Sequence, residues 1–586
     1  MTRLLGLLTL VLCLTTYTPS AQAEEETLEP SSPAPAATQV QEPPIERERP
    51  PIQPTHILPS KIKPVQGNSA DDDSMSKAAP NIQTETPADA NLDTITLQPL
   101  PDEISALPLW QDLSAGDLKN IFSQMDTISD SPTVRQISIS LLSTLKPQED
   151  DESANGELFG LRLTKLLAWG ELQKTIDLYK RNDQASPPAN AAKAAIVAML
   201  AKGETGVACL ELKALPLGDA GPDDLFSKID LFCKGLLSPA AGDDESLRFI
   251  NAARIYNTAA ESKTPDSIES LNALDPMTVM SLGSAGLLNT LLKENGQIRQ
   301  LGNLPLALLL EKGPQSPDLH LHLLAESIRR GFDGMNTKKP DLSSYLATLT
   351  DDKNNSKSKE YSDFLNQYIN LSIPPSASLL KEAQNLTGNT DILIPLYAGE
   401  YPLPLSDWTA LPSGESLGIL RLLALANQPL PIDLAKQAFP DEKAATETDN
   451  EKESTGENIL FNHFMAPEKA AQNKKMAEIL AVTSYLTGAD DKQAFGDGIY
   501  DNIFNLTESG NYVMPSDDIL SSLKKTANKK PSVQEVIESL KYLDSAPLEK
   551  IHPAAMYGIL AIFNSAGLSV QTKALGREVL GRVLEN

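Results

Sequence analysis

At 586 residues the chain has room for several domains. Its formal charge of −28 argues against nucleic acid, whose phosphates need neutralising lysines and arginines, and against docking on anionic lipid. Hydrophobic residues make up 41% and aromatics 5%, so a core is affordable only where the apolar positions cluster.

Residues 1–23 read as a secretory signal peptide. Arg3 supplies a positive charge and Leu4 to Leu14 are almost wholly apolar. Pro19 and Ser20 break that run, and Ala21-Gln22-Ala23 gives the small-x-small pattern that places cleavage after Ala23. The apolar run falls short of the roughly 20 residues of a bilayer-spanning helix, so cleavage and release are expected over a retained anchor. A lipoprotein site at Cys13 is disfavoured by the bulky Leu12 before it. No later stretch reaches about 18 consecutive apolar residues, so no membrane span is expected after cleavage. The expected location is the periplasm or the exterior.

Residues 24–103 follow as an acidic, Pro-rich leader with no Phe, Trp or Tyr, 14 prolines and 15 acidic against 5 basic side chains. Such a composition does not bury enough apolar surface to offset chain entropy, so disorder is expected. From Ile104 onward apolar residues recur at three- and four-residue spacing, with Trp110 and Phe122 among them. Runs of alternating β-branched residues are missing. The expected class is therefore all-α, as irregular helical-hairpin repeats of either an α-solenoid or a multi-helix bundle. We expect a helical repeat region over 104–335, a polar linker over 336–360, and a second helical region over 361–586 with a disordered loop near 440–457.

The clearest local pattern is a glycine between paired helices. Residues 161–181 (LRLTKLLAWGELQKTIDLYKR) and 194–215 (AAIVAMLAKGETGVACLELKAL) each place Gly-Glu between two apolar helical stretches. Gly170 and Gly203 lie 33 residues apart, near the period of about 34 typical of paired-helix repeats. A glycine ends the first helix by accepting a left-handed backbone. The residue five positions on (Thr175, Ala208) must then be small where the helices cross, with Tyr179 and Leu212 on the same inner face. Looser echoes occur at Gly242, Gly296 and Gly567, the last with Thr572 five residues on.

Once the signal is removed, Cys209 and Cys233 are the remaining cysteines. Outside the cytoplasm they either form one disulfide or stay as two buried small hydrophobes. In a solenoid they would sit on the second helix of one unit and the first helix of the next.

With its LFCKGLLSPAAGD phrase and its closing ILAIFNSAGL…ALGREVL, the chain resembles exported bacterial helical-repeat proteins of alphaproteobacterial type, sometimes labelled "antifreeze glycopeptide polyprotein". That resemblance implies a signal peptide, a Pro-rich leader and a helical body, and assigns no catalytic residue. The antifreeze label has no counterpart here, since there is no Thr-Ala-Ala array or Thr-x-Thr ladder.

Chemical motifs are sparse. Gly414-Glu-Ser416-Leu-Gly418 matches the G-x-S-x-G elbow of serine hydrolases, which needs a buried strand before the serine. The preceding Trp408-Thr-Ala-Leu-Pro412-Ser413 does not make one, so Ser413 is expected to cap a helix with Glu415 in its first turn. His320 and His322 face apart on a helix. Asp318 with His322, or His322 with Glu326, has i,i+4 spacing but no evident third metal ligand. His56, His463 and His552 are isolated. Ser143/Lys146 and Ser521/Lys524 match Ser-x-x-Lys in helical contexts. Asn354, Asn370, Asn385 and Asn505 carry the Asn-x-Ser/Thr acceptor pattern. No phosphate-binding glycine loop or dinucleotide fingerprint occurs, so no cofactor, metal or catalytic residue is assigned. The functional expectation is an exported, non-enzymatic helical-repeat protein binding or scaffolding unidentified envelope proteins. The alternatives are a hydrolase using Ser416 and a passive structural spacer.

Overall fold

The computed structural model describes residues 91–98, 104–148, 156–182, 187–215, 224–312, 316–332, 356–370, 377–398, 413–439 and 530–585, apart from a few single positions. Scattered residues between these segments are also described. The expected signal peptide with its expected cleavage after Ala23, residues 24–90 of the expected leader and most of the 440–457 loop lie outside them. The described residues fall within one compact unit, Thr84–Asn586. They are helical as expected, with a single isolated bridge between Val513 and Ile551 and no strand among them.

Helix starts follow local chemistry. α1 (Ala115–Gln124) opens with a capping box: the Ser114 hydroxyl accepts from the Asp117 amide while the Asp117 carboxylate accepts from the Ser114 amide. α2 (Pro132–Thr144) starts with Pro132 behind a Ser131 cap. α3 (Glu157–Ala168) and α4 (Leu172–Tyr179) form the first hairpin, α5 (Ala189–Lys202) and α6 (Thr205–Ala214) the second, and α7 (Asp224–Leu237) and α8 (Glu245–Ala259) the third.

The turns inside the first two hairpins are built alike. Gly170 (φ 76°) and Gly203 (φ 88°) take left-handed backbone. The Gly170 amide donates to the Leu167 carbonyl (2.7 Å) and the Glu171 amide to that of Leu166 (2.9 Å). Gly203 and Glu204 do the same toward Leu200 and Met199. This is the Schellman pattern, which satisfies carbonyls left over at a helix end. Thr175, Ala208, Tyr179 and Leu212 are buried on the inner face. Gly567 repeats the turn, with Thr572 buried five residues later.

Two of the looser echoes fail. Gly242 follows a single 3-10 turn, Pro239–Ala241, and not an α-helix. Gly296 lies inside the short helix α11 (Asn295–Ile298). Conversely, Glu261 (φ 49°) and Asn427 (φ 56°) take the same left-handed position with the same bonding pattern. A search keyed to glycine misses both.

α5 carries small or aliphatic residues all round, and Ala191 to Ala201 are buried apart from Lys193. A helix apolar on every side belongs in a core, and α5 packs against α3, α4, α6 and α12 (Asn303–Lys312). Successive pairs α6–α7 and α7–α8 also pack, and α8 passes the contact to α10 (Pro276–Ser284). The short α9 spans Ile268–Asn272. Cys209 on α6 and Cys233 on α7 are joined in a disulfide, with Cα atoms 5.8 Å apart, on the helices a solenoid requires. Phe232 continues the link to α8 through Phe249 (5.0 Å) and Tyr256 (6.2 Å).

Two boundaries differ from expectation. Residues 91–98, expected within the disordered leader, belong to the packed body. Asp93 is 1% exposed, and its carboxylate accepts from the Phe159 amide (2.7 Å) and the Gly156 amide (3.2 Å) at the start of α3. Leu92, Ile95 and Leu97 pack on the core. A leader averaged over eighty residues conceals this short apolar patch with its carboxylate cap. The expected linker is also partly helical, since α14 begins at Ser356 (Ser356–Asn370).

The two expected regions are not independent. α13 (Pro317–Arg329) packs against α14, α15 (Ala377–Thr387), the Asp391–Leu393 turn and α16 (Ile394–Ala398). α17 (Ser413–Leu425) packs against α18 (Ile432–Ala438) and the final helix α21 (Ser569–Glu585). α21 then packs on α2, and α19 (Val533–Asp544) on α1 and α2, so the first and last helices meet. α20 (Pro553–Ser565) lies between α19 and α21.

Candidate functional site

Where the two regions join, α13 ends in a knot of buried charge. Glu326 sits one turn before Arg329 and Arg330, and all three are buried. Both guanidinium groups turn back on its carboxylate: Arg329 donates at 2.8 and 2.5 Å and Arg330 at 2.6 Å. Arg330 also donates to the carbonyls of Leu301 (2.7 Å) and Arg299 (2.8 Å) and to Asn303 Oδ1 (3.2 Å). Asp130, before α2, approaches Arg329 and Arg330 at 3.3 and 3.5 Å.

The knot extends into the C-terminal helices. Buried Asp391 accepts from Arg421 Nη2 of α17 (2.5 Å), while Arg421 Nη1 donates to Thr390 Oγ1. Arg582 of α21 donates to the carbonyls of Asp130 and Arg329, both at 3.2 Å. Glu578, one turn earlier, accepts from Ser131 Oγ (2.8 Å) and from the Thr133 amide (3.2 Å) at the start of α2. A carboxylate there completes the helix N-terminus.

Burial pushes the Glu326 carboxyl up, but Arg329 and Arg330 outweigh it and hold it at about 2. Burial also opposes the charge of Asp391, and Arg421 and Arg582 outweigh it and keep its carboxyl low. At Glu578 burial wins over Arg582 and the hydroxyl donors, and the carboxyl is raised. At Glu326 the carboxylate is taken up by two guanidinium groups, so this pairing fixes the end of α13.

Against its outer side lies a cleft of about 260 Å³ lined by Ile298, Arg299, His322, Glu326, Thr387, Gly388 and Asn389. Arg299 is exposed, His322 half-buried, and Glu326 forms a wall. Thr387 Oγ1 donates to the carbonyls of Ala383 (2.8 Å) and Asn389 (2.7 Å), fixing the turn that carries Gly388.

The sequence-derived candidates fare unevenly. Ser416 lies in the first turn of α17, fully buried, with its hydroxyl donating to Gln437 Oε1 (3.2 Å). It lies within a helix that already begins at Ser413, and residues 399–412 before it lie outside the described ones. Glu415 stands in the first turn, as expected; the Ser413 side chain lies outside the described ones. His322 reaches the cleft and His320 does not, and burial lowers the His320 imidazole against the pull of Glu311. His322 and Glu326 share the cleft wall, while the Asp318 side chain lies outside the described ones. No group of three or more His, Cys, Asp or Glu suited to a metal gathers among the described residues. His552 is buried with its ring 5.7 Å from that of Tyr512. Ser143 is buried and donates to the Ile139 carbonyl (2.7 Å), whereas Lys146 is exposed. Asn370 and Asn385 are exposed on helices. His56, His463, Ser521, Lys524, Asn354 and Asn505 lie outside the described residues.

The sequence reading missed the knot itself. Its one visible signal is Glu326-x-x-Arg329-Arg330, a carboxylate one turn before two arginines at the end of α13. Among the described residues, no helix is long and apolar enough to cross a membrane. No family model matches the chain, and neither a curated protein nor a solved structure matches it.

Proposed function

We propose that the chain is an exported, non-enzymatic protein of the cell envelope whose stacked helical hairpins bind or scaffold other envelope proteins. The observation that carries this reading is the unbroken packing of α3 through α8, hairpin on hairpin. Such stacks present extended surfaces larger than any single helix pair offers. The disulfide between α6 and α7 supports the export half of the reading, because disulfides persist in oxidising compartments. So does the resemblance to exported bacterial helical-repeat proteins.

In-cell crosslinking followed by purification from the envelope tests it. Recovery of the same partner in independent preparations is the expected outcome. Repeated recovery of the chain alone overturns the scaffold reading.

A further inference from the structure

We propose that the contact between α19 and the turn leading into α2 is a proton-operated latch, shut while the Asp544 carboxyl keeps its proton and released when it ionises. Such a latch needs no binding partner and stands apart from the scaffold reading.

The C-terminal helices hold the chain's first helices at one place, residues 125–133, where α1 has ended and α2 opens. From α21, Glu578 accepts from Ser131 Oγ (2.8 Å) and from the Thr133 amide (3.2 Å), and Arg582 donates to the Asp130 carbonyl (3.2 Å). From α19, its last residue, Asp544, accepts a hydrogen bond from Ser129. The Ser129 hydroxyl oxygen in turn accepts from the Ser131 amide (3.2 Å). Both helices therefore grip one short run of backbone.

The two grips differ in what supports them. Glu578 stands 3.9 Å from Arg582 and meets the N-terminus of α2, where a negative charge is stabilised. Asp544 closes the C-terminus of its own helix, where a negative charge is disfavoured. Its Oδ1 is sealed from solvent with no hydrogen-bond partner, an arrangement a neutral carboxyl tolerates far better than an ionised one. The charges acting on it from the facing turn are Asp126 and Asp130, both negative. The nearby cations are engaged elsewhere: Arg329 and Arg330 with Asp130 at 3.3 and 3.5 Å, and Lys165 drawn toward Asp126. Of the other elements packed on α19, α1 carries Asp117 and Lys119, the latter paired with Glu157. α2 carries only Arg135, buried against Glu171 at 2.7 Å, and α20 carries no charge. On α19 itself stand Glu535, Glu538 and Lys541, and the turn after it holds Glu549 and Lys550.

Burial, with Asp126 and Asp130, raises the Asp544 carboxyl to about 7 from an ordinary 3.8. A released Asp544 ionises in water near that ordinary value. The shut form is therefore at full strength below about pH 4 and weakens progressively up to about pH 7. The total loss in the shut-to-released ratio is on the order of a thousandfold.

Hydrogen exchange of the full mature chain, read by mass spectrometry at pH 5 and pH 8 and expressed as protection factors, tests the latch. Protection of the C-terminal half of α19 and of residues 125–133 is expected to fall at least about tenfold between the two, while α5 keeps its own. Asp544→Asn retains the side chain's shape without its charge and is expected to stay protected at both pH values. Asp126→Asn removes one repelling neighbour and is expected to keep more protection at pH 8 than wild type. Protection in wild type that is indifferent to pH overturns the proposal. So does an equal loss in folded Asp544→Asn, or a loss shared by α5, which reports unfolding of the whole. Should Asp544→Asn fail to fold, a loss in Asp126→Asn as large as in wild type overturns it as well.

Discussion

Gly170 and Gly203 hold the same turn, yet a methyl group added to each meets different surroundings. At Gly170 it would lie 2.8 Å from Ala307 Cβ, 2.8 Å from a Phe332 ring carbon and 2.9 Å from the Asn303 carbonyl oxygen. At Gly203 it would meet only the end of the Lys312 side chain, at 3.4 Å. Gly203→Ala should therefore cost only the left-handed backbone penalty of about 1–2 kcal/mol. Gly170→Ala adds overpacking of about 1–3 kcal/mol. Urea unfolding of both variants checks the order, and equal losses would contradict it. Asp544, the last residue of α19, offers a second test. Burial pushes its carboxyl up to about 7, with Asp126 and Asp130 adding to the rise and the Ser129 hydrogen bond opposing it. A carboxylate is also disfavoured at a helix C-terminus. Its folded value exceeds the unfolded one, so the folded state holds the proton more tightly. Stability from this group is complete below about pH 4 and is lost as pH rises through about 7. Asp544→Asn should match wild type near pH 4 and exceed it by roughly 4 kcal/mol near pH 8. Thermal melts across that range read the difference directly.

At the scale of elements, the helix ends decide how the hairpins close. Glu261 stands where Gly170 and Gly203 stand in their own turns, and it takes left-handed backbone without being glycine. Glu261→Gly relieves that strain and should stabilise the protein by about 0.5–1 kcal/mol, visible as a rise in the urea midpoint with an unchanged slope. The α6–α7 disulfide closes a segment of 24 residues. Its reduction should cost about 3 kcal/mol, and a melting temperature indifferent to reductant would contradict this. The glycine signal in the sequence worked at Gly170, Gly203 and Gly567 and missed Gly286, which takes the same turn. It failed at Glu261 and Asn427 because residues other than glycine take the same backbone there, Asn at little cost.

Across the whole molecule, the arginine–carboxylate knot ties α13 to α2, α17 and α21, elements far apart in the chain. Burying such charges contributes little net stability while they are paired, but removing one partner strands the others. Glu326→Ala should destabilise by about 3–5 kcal/mol, because Arg329 and Arg330 lose their shared acceptor. Denaturant unfolding measures the loss, and a change under about 1 kcal/mol would show that solvent reaches the arginines. Asp93 plays a related part at the N-terminal edge, where its carboxylate completes the start of α3 and so fastens residues 91–98 to the body.

By itself the sequence determined the helical class, the glycine turns at 170, 203 and 567 and the small residues that let those helices cross. Each of these is a local property, set by spacing along a single helix and by the backbone one residue adopts. Only the tertiary structure decided that residues 91–98 join the fold, that Cys209 and Cys233 bond, and that the first helices meet the last. The same holds for Glu326, Arg329, Arg330, Asp391, Arg421 and Arg582, which form one buried network beside a cleft. Their pairings span up to hundreds of residues, and a charged side chain in a sequence carries no mark of which distant partner will neutralise it.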